Sequence, residues 1–588
     1  MAEIIENFKN LKENYGQKGN NLKILMEVFS NKKKVIVPET LILPISIYKK
    51  IVSENGNTDF SDYKNIYINP NLEKKILGCI HSKFGNEKLV IRSSATCEDS
   101  IFFSGSGQYD SFLNVNSDEK IIEAIKKIYA SLYGKNSKLY TKIYNINLNK
   151  ENMAILIQAV APVIKAGVMF SCNPIDMKRT YIIESTKGLG TNVVEGVGNI
   201  NHLEIDYKTV SKVDDKEIKM LINTINIIKK RFKYDVDIEW GIDKNNNLYI
   251  FQVRPIIYKN TKFNINYDKS LVLKKCIPIS RGFSIGKIEN ITAKEKSSIL
   301  YQNKKYDFND LEVLLTSKGV ILKENSKLSH FANILRELVK PCVYVENFKF
   351  EHDNLYAIDA FNGNIIDFSK LNGKDKVELM LNSFNYMKTI LNDSFEKYNG
   401  ILSIDNDDKI EEVVFDINKK KVIDNLIKNG YKKKIVRQGI YTYDFKDNSL
   451  INDNTIFRIQ ISNKKINIQF KQLDTAHKNY RKEKGIIIKF DSLKNAKEFM
   501  KSYLMIETGY QERKITKYEK EDVSVNVITW PDRESYLGIE SKSLERLKKV
   551  NDELELNDCL ITGWGGKQIF ERLNLTLNDC QFNEGRKK

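Results

Sequence analysis

The chain has 588 residues and a net charge of +18, and its seven cysteines form no CxxC pair. This length suffices for three or four domains with their own cores, whereas scattered cysteines argue against a disulfide framework or a zinc site and suit a reducing compartment. Because no stretch approaches the ~18 consecutive apolar residues of a membrane span, and the N-terminus lacks the apolar run of a signal peptide, we expect a soluble cytoplasmic protein.

Helices and strands alternate over residues 1–260, which predicts an α/β domain. Near its start, a glycine turn at residues 16–19 leads into a helix and places Lys18 where an amine can reach phosphate oxygens. An apolar strand at residues 89–91 then delivers Arg92 and two serines into a turn. An arginine fork with small neighbours suits phosphate binding. The glycine-rich residues 104–109 fit either a flap over phosphates or a plain surface loop.

Two alternating segments at residues 235–240 and 248–255 predict a β-hairpin. Because side chains two residues apart share one face of a strand, Asp237 and Glu239 lie together, as do Gln252 and Arg254 on the partner strand. Carboxylate and amide oxygens are ligands that Mg²⁺ takes together with nucleotide phosphates. The hairpin is therefore a candidate magnesium site, although the same pattern fits the polar face of an edge hairpin.

The order of these pieces resembles the ATP-grasp nucleotide-binding domain of the phosphoenolpyruvate synthase and pyruvate, phosphate dikinase family. The matching stretches are VIRSSATCEDS, SGSGQYDSFLNV, AILIQAVAPVIKAGVMFSCNP, IIESTKGLG, and DIEW with YIFQVRPI. The family often has glutamate after GLG, where this chain has Thr191. By this resemblance Glu239 and Gln252 bind Mg²⁺, and the residues that bind ATP are Lys18, Arg92, Asp237, Glu239, Gln252 and Arg254.

One of the five histidines, His330, follows Ser329 at the start of a predicted amphipathic helix. Ser329 is a suitable N-cap, so His330 would lie at the positive end of the helix dipole, which disfavours a protonated imidazole and stabilises a bound phosphate. Strand-like residues 311–315 and 320–322 precede the helix, and residues 342–345 and 356–359 follow it. We predict a small β/α domain over residues 274–372, reached through a polar linker.

The segment SHFANILRELVKPCVYV resembles the motif of the swivelling phosphohistidine domain of the same dikinases. The resemblance implies that His330 carries phosphate, whereas a lone histidine would otherwise more often be structural. A neutral imidazole nitrogen would attack a phosphoryl group of ATP, while Mg²⁺ and Arg92 offset the charge that develops. Leu328 replaces the family's usual threonine, so that residue's contact to the imidazole is missing or supplied elsewhere.

Residues 373–408 are predicted to form a helical connector, and residues 409–588 a barrel. Strand patterns at residues 411–417, 434–443, 455–461, 465–471, 485–490, 512–518, 523–530 and 535–539 are interrupted by helices near 420–429 and 493–503. This pattern predicts a closed antiparallel barrel, not the (β/α)₈ barrel that carries the pyruvate site of the dikinases. We therefore expect a multidomain α/β and α+β chain whose phosphoryl acceptor is not pyruvate.

The barrel pattern resembles the triphosphate-tunnel (CYTH) fold of class IV adenylyl cyclases and thiamine triphosphatases, through the segments IEEVVF, FRI, QFK, RKE and YLGIE. Basic side chains and opposing carboxylates face inward in such tunnels. By this resemblance the candidate acceptor- or polyphosphate-binding residues are Glu412, Arg458, Lys471, Arg481, Arg513, Lys514 and Glu540. Only Glu412 survives of the family's ExExK opening and only Glu540 of its late ExE, which favours a tunnel that binds an anionic ligand without cyclase or triphosphatase turnover.

Three functions are compatible with the sequence. The leading one is an ATP-dependent dikinase-type phosphotransferase that passes a phosphoryl group through His330 to an anionic small molecule and releases AMP and phosphate. The second is a CYTH-type nucleotide cyclase or triphosphatase fused to a regulatory ATP-binding and phosphohistidine module. The third is a nucleic-acid binder, because residues 421–520 hold 23 Lys+Arg against 11 Asp+Glu. No recognised nucleic-acid motif accompanies that excess, which a solvated lysine surface explains equally well.

Overall fold

The structure is a computed structural model. It describes residues 5–6, 14–56, 58–96, 98, 108–135, 137–138, 147, 150–188, 200–256, 263, 265, 267–290, 298–301, 313–314, 317–323, 330–393, 401–530 and 533–575. Among these residues no helix has the length and hydropathy required to span a bilayer.

Two sheets, and five helices whose bounds are described, lie in the N-terminal domain (residues 5–256), here called the ATP domain after the resemblance of its sequence. Its helices are α1 (Gly16–Phe29), α2 (Ile45–Asn55), α3 (Pro70–Phe84), α4 (Asp118–Ser131) and α5 (Lys216–Phe232). Its strands are β1 (Ile5–Glu6), β2 (Val35–Ile36), β3 (Leu41–Leu43), β4 (Leu89–Ala95), β5 (Ser111–Val115), β6 (Met153–Ala159), β7 (Val163–Phe170), β8 (Thr180–Lys187), β9 (Asn201–Asp206), β10 (Val236–Asp243) and β11 (Leu248–Pro255). The strand orders are β1-β3-β6-β4-β5 and β2-β11-β10-β7-β8-β9, with only β2 and β11 parallel.

Each sheet of the ATP domain packs its apolar face against helices. The first sheet shares a core with α2, α3 and α4, and the second shares one with α1 and α5. Helix α5 shows how the sequence achieves this: Asp215 caps its first turn by accepting from Glu217 N at 2.8 Å, and Leu221, Ile225 and Ile228 bury one face. The two sheets meet at α1, which also contacts β4 and β11.

The middle domain (residues 272–367) is one eight-stranded sheet with a short helix, α6 (His330–Glu337). Its strands are β12 (Val272–Lys275), β13 (Ile277–Ser280), β14 (Phe283–Asn290), β15 (Ile299–Tyr301), β16 (Gly319–Leu322), β17 (Cys342–Tyr344), β18 (Leu355–Asp359) and β19 (Asn364–Asp367). Strands β14 to β17 are parallel neighbours. The predicted strand at residues 311–315 is wrong, since Val313 and Leu314 are helical and the parallel neighbour of β14 is β15.

A long helix, α7 (Gly373–Asp393), joins the middle domain to the C-terminal barrel (residues 401–575). The barrel strands are β20 (Ile401–Asn406), β21 (Lys409–Phe415), β22 (Lys432–Asp444), β23 (Thr455–Ser462), β24 (Lys465–Asp474), β25 (Arg481–Phe490), β26 (Ile506–Lys520), β27 (Val523–Thr529), β28 (Tyr536–Ser541) and β29 (Leu560–Thr562). Its helices are α8 (Lys419–Lys428), α9 (Ser449–Asn452), α10 (Leu493–Lys501), α11 (Leu544–Glu553) and α12 (Gly566–Leu573). The predicted helical connector over residues 373–408 is wrong at its end, because β20 pairs with β25.

Eight antiparallel strands close the barrel in the order β21-β25-β24-β23-β22-β26-β27-β28, with β28 returning to β21. Helices cover much of the outside: α8 and α11 pack on one part of the wall, and α7 and α10 pack on another. Helix α12 contributes to a separate apolar cluster with Trp530 and Tyr536. The closed antiparallel barrel predicted from the sequence is confirmed.

Candidate functional site

The glycine turn before α1 is held against strand β4. Gly16 has φ +68°, and a Cβ there would lie 1.9 Å from Ser94 O, so a larger residue does not fit. Ser94 Oγ donates to Tyr15 O at 2.7 Å and accepts from Gly19 N at 2.9 Å. The turn thereby places Lys18 beside the end of β4. Its Nζ lies 2.5 Å from Glu98 Oε1, a buried carboxylate that the sequence interpretation did not single out as a site residue.

The hairpin of β10 and β11 brings the predicted metal-binding and nucleotide-binding side chains to one face. Asp237 pairs with Arg254 across the strands, and Glu239 pairs with Gln252. Arg254 Nε donates to Asp237 Oδ1 at 3.1 Å, with both side chains buried, and its Nη2 lies 3.8 Å from Glu239 Oε1. Burial raises the pKa of Asp237, while Arg254 opposes that shift. The buried pair of Asp237 and Arg254 therefore supports the face of the hairpin on which Glu239 and Gln252 also lie.

Arg92 connects the two sheets of the ATP domain. From β4 its Nη1 donates to Phe251 O at 3.2 Å, and its Nη2 lies 3.2 Å from Glu239 Oε2 and donates to Gln252 Oε1. The guanidinium is only 15% exposed. A cation, a carboxylate and an amide oxygen thus meet at one point between the sheets. The predicted flap at residues 104–107 and Thr191 lie outside the described residues.

Helix α6 begins at His330, as the sequence predicts, although the histidine side chain, Ser329 and Leu328 lie outside the described residues. Six residues further along α6, Arg336 donates to Ile279 O at 3.1 Å within the middle domain. Burial lowers the pKa of Arg336 to about 10, and the carboxylates of Glu184 and Asp237 oppose this shift. Since both carboxylates belong to the ATP domain, Arg336 lies within electrostatic range of that domain.

Glu184 is a further site residue that the sequence interpretation missed. It is 2% exposed on β8, and its Oε1 lies 3.1 Å from His202 Nδ1 on the neighbouring strand. The other side of His202 approaches Glu204 Oε1 at 3.0 Å. The buried carboxylate could have been suspected from the sequence, because Glu184 interrupts the apolar run of β8. Its electrostatic interaction with Arg336 of another domain could not.

The barrel interior holds a network of buried ion pairs centred on β25. Arg481 Nη2 lies 2.5 Å from Glu411 Oε2, and its Nε donates to Glu483 Oε1 at 2.9 Å. Glu483 also accepts from Lys471 Nζ at 2.7 Å. Burial alone would raise the pKa of Glu483, but the charges of Lys471, Lys409 and Arg481 hold it well below its usual range.

Two of the predicted inward residues face outward. Glu412 accepts from Asn551 Nδ2 on α11 at 2.7 Å, and Lys514 is exposed on the outer face of β26. Alternation along a strand puts their neighbours Glu411 and Arg513 inside instead. The predicted inward orientation of Glu412 and Lys514 is therefore wrong, because in each case the adjacent residue points inward instead. A cyclase or triphosphatase centre built on Glu412, Glu540 and Arg458 is not assembled.

Glu540 faces inward but is engaged by a lysine that the sequence interpretation did not consider. Lys409 Nζ lies 2.6 Å from Glu540 Oε1 and 3.9 Å from Glu483 Oε2. Arg458 and Arg513 have different partners: Arg458 Nε donates to Gln469 Oε1 at 2.8 Å, and Arg513 Nε donates to Gln438 Oε1 at 2.8 Å. Burial and, to a smaller extent, the charge of Arg513 lower the pKa of Arg458 to about 10. These two arginines are the interior cations that an anion would meet.

Comparison with known proteins assigns the N-terminal part. Residues 64–210 and 198–271 match the family described as pyruvate phosphate dikinase, AMP/ATP-binding domain. Over these residues the chain is similar to that family. A probable phosphoenolpyruvate synthase of Methanothermobacter thermautotrophicus is 27% identical over 336 residues, covering 49% of this chain and 48% of that protein. The phosphoenolpyruvate synthase of Pyrococcus furiosus is 25% identical over 317 residues, covering 45% of this chain and 39% of that protein. The chain thus spans about half or less of these relatives.

Solved structures similar to this chain include a putative adenylyl cyclase from Hippeastrum, with 12% identity and a TM-score of 0.23 over 28% of this chain and 95% of that one. A putative adenylate cyclase from Vibrio parahaemolyticus has 9% identity and a TM-score of 0.24 over 28% and 98%. The closed barrel is established by the strand pairing of this chain, in which β21 pairs with both β25 and β28.

The oxygen donors of the β10–β11 hairpin fit magnesium. Glu239 and Gln252 offer oxygen atoms on adjacent strands, and Mg²⁺ commonly takes one or two carboxylates plus substrate phosphates instead of a complete protein cage. In the described part of the chain there is no cluster of three or more His, Cys, Asp or Glu that could hold a metal alone. The residues present therefore suit an ion that arrives with a nucleotide.

The barrel network predicts a pH dependence of stability. Burial raises the pKa of Glu411 from its usual 4.5 to about 7, although Arg481 opposes the shift. Between these values the folded protein holds a proton that the unfolded chain lacks, so the free energy of unfolding falls as pH rises, by up to about 1.4 kcal/mol per pH unit. A Glu411→Gln variant should lose this decline, because an amide has the same shape and no such proton.

Thermal unfolding between pH 5 and pH 8 measures this effect. In a Trp240→Phe background the fluorescence of the two remaining tryptophans, Trp530 and Trp564, reports on the barrel. Glu498→Gln, on the exposed face of α10, is the matched control and should keep the decline. If Glu411→Gln keeps it too, Glu411 is ionised in the folded barrel and the prediction is wrong.

Proposed function

We propose that this chain is an ATP-dependent phosphotransferase of the dikinase type. ATP binds between the sheets of the ATP domain, a phosphoryl group passes to His330, and the phosphohistidine then delivers it to an acceptor other than pyruvate, with release of AMP and phosphate. The family of the ATP domain and the phosphoenolpyruvate synthase relatives support the first half of this sequence of steps.

The observation that carries the proposal is the position of helix α6. Its Arg336 interacts electrostatically with Glu184 and Asp237 of the ATP domain, so the helix that starts at His330 approaches the predicted nucleotide site. A helix N-terminus also favours a phosphate over a protonated imidazole. A neutral histidine at this place suits nucleophilic attack on a phosphoryl group.

Phosphate binding, nucleophilic attack and metal binding would fall to different residues of the chain. Lys18, which lies 2.5 Å from Glu98, and Arg92, which is held by Glu239 and Gln252, would exchange these protein partners for phosphate oxygens when ATP binds. An imidazole nitrogen of His330 forms an N–P bond to the β-phosphorus as the α–β P–O bond of ATP breaks, and AMP leaves with the electron pair. Water then cleaves the β–γ P–O bond of the pyrophosphohistidine, which releases phosphate and leaves one phosphoryl group on His330. Glu239 and Gln252 would hold Mg²⁺, which supplies charge neutralisation when bound.

The barrel supports an acceptor other than pyruvate, since the residues that follow the middle domain form an antiparallel barrel and not a (β/α)₈ barrel. The cation pair Arg458 and Arg513 supports an anionic ligand in its interior. The cyclase or triphosphatase alternative has no comparable support, because Glu412 faces outward and Glu540 pairs with Lys409.

Labelled ATP tests the proposal directly. The full-length protein, incubated with Mg²⁺ and ATP that carries ³²P at the β or the γ position, should form AMP and an acid-labile, alkali-stable phosphoprotein. Mass spectrometry of a digest kept at alkaline pH should place the phosphate on the peptide that contains His330. Formation of ADP alone, or phosphate on a hydroxyl side chain, would refute the proposal.

A further inference from the structure

The middle domain, helix α7 and the barrel share one hydrophobic core. Phe384 on α7 stands between them: its ring centroid lies 5.8 Å from that of Phe457 and 5.4 Å from that of Phe470 on the barrel wall. The opposite side of the same core comes from strands of the middle domain. Representative buried members are Phe283, Leu355, Leu379, Phe384, Phe457 and Phe470.

Polar contacts fix the same junction. Tyr386 on α7 is 1% exposed and its hydroxyl lies 3.3 Å from both Arg281 O and Val339 O in the middle domain. Lys318 of the middle domain reaches directly to the barrel, where its Nζ donates to Ser502 O at 3.3 Å and lies 3.6 Å from the ring centroid of Tyr503. On the far side of α7, Lys376 Nζ bonds Asp447 at 2.7 Å.

The contact with the ATP domain is of another kind. No hydrophobic cluster of the described residues contains members both from residues 14–256 and from residues 263–575. The interaction found there is electrostatic, between Arg336 and the carboxylates of Glu184 and Asp237. Domain interfaces that are small and polar permit relative motion, whereas large hydrophobic ones do not. The chain therefore divides between the ATP domain and everything that follows it.

The middle domain also lies against the outside of the barrel. The barrel residues in the shared core, such as Phe457, Ile459 and Phe470, alternate with the inward residues Arg458 and Gln469. The β-sheet wall thus stands between the middle domain and the interior cations. A histidine carried by the middle domain could enter the interior only if the shared core came apart.

We infer that the middle domain, α7 and the barrel move as one rigid body against the ATP domain, and that the phosphoryl acceptor meets His330 outside the barrel. This inference rests on the proposed function for the role of His330. The barrel interior then holds a ligand that travels with the phosphohistidine and does not receive its phosphoryl group.

Two spin-label distances test the division. Labels at Asp353 in the middle domain and Lys549 on α11 belong to the inferred body, whereas Asp214 belongs to the ATP domain; all three side chains are exposed. Incorporation of a ketone-bearing amino acid at these positions avoids the native cysteines. Distances are measured by electron paramagnetic resonance in the full-length protein, without nucleotide and after incubation with ATP and Mg²⁺.

The Asp353–Lys549 distance should keep the same mean and width in both samples, while the Asp214–Lys549 distance should change as phosphoprotein accumulates. A shift in the first distance would overturn the single body, and a constant second distance in phosphorylated protein would overturn the motion. AMP is measured in the same samples. Its absence would refute the proposed function but would leave the Asp353–Lys549 comparison as a test of rigidity.

Discussion

A His330→Ala variant should form neither AMP nor phosphoprotein above background, a loss on the order of 10³-fold or more in the rate of AMP formation. The imidazole is the proposed nucleophile, and an alanine side chain cannot form an N–P bond. Nucleotide binding should survive, because Lys18, Arg92 and the β10–β11 hairpin stand in another domain. Rapid-quench assays of AMP and equilibrium binding of ATP separate the two quantities.

His352→Ala is the matched control for this variant. His352 is exposed in the same domain, with its ring 5.1 Å from that of Phe350 and no part in the site. Its rate of AMP formation should equal that of the unaltered protein. AMP formation at the normal rate in His330→Ala would remove the phosphohistidine step from the proposed function, whatever the ATP domain does.

The ATP hairpin could be predicted from the sequence because its two faces differ. Val236, Ile238 and Trp240 are buried and apolar, and they alternate with Asp237 and Glu239. Alternation of this kind fixes both the secondary structure and the face of every residue. The sequence could not show how residues from separate sheets come together in the site. Arg92 contacts Glu239 only because two separate sheets converge, and no local pattern encodes that convergence.

The barrel shows where the same reasoning fails. Helices cover the outside of its wall, so Val414 outside and Val413 inside are both fully buried, and adjacent Glu411 and Glu412 are both buried carboxylates. Because apolar and charged residues occur on both faces, the sequence does not show which residues of a strand point into the barrel. An error of one residue exchanges the two faces. Strand positions were therefore predicted well, while Glu412 and Lys514 were placed on the wrong side.

The junction between the middle domain and the barrel was also beyond the sequence. Helix α7 buries residues on several sides, including Val377, Phe384 and Tyr386, because it packs between two domains. Because Lys374 and Glu378 on this helix are exposed, its sequence has the pattern of an ordinary surface helix and does not reveal the second domain. The sequence predicted only a helical connector over residues 373–408. The rigid attachment follows only from the contacts of Phe384, Tyr386 and Lys318.

An Arg92→Met variant should phosphorylate His330 more slowly by on the order of 10²–10³-fold, with a smaller loss of ATP affinity. Arg92 stands at the meeting point of the two sheets, where it contacts Glu239 at 3.2 Å and Gln252. A cation there stabilises the charge that spreads over the phosphoryl oxygens during transfer more than it stabilises bound ATP. Single-turnover phosphorylation and ATP binding should therefore respond unequally.

Arg92→Lys should recover only part of the lost rate. An ammonium keeps the charge, but it cannot donate to Phe251 O while directing further donors to phosphate, as a planar guanidinium can. Arg231→Met, on an exposed part of α5, removes an arginine from the same domain and should leave both rates unchanged. Equal losses in affinity and phosphorylation rate for Arg92→Met would show that Arg92 binds ATP uniformly and gives the transition state no extra stabilisation.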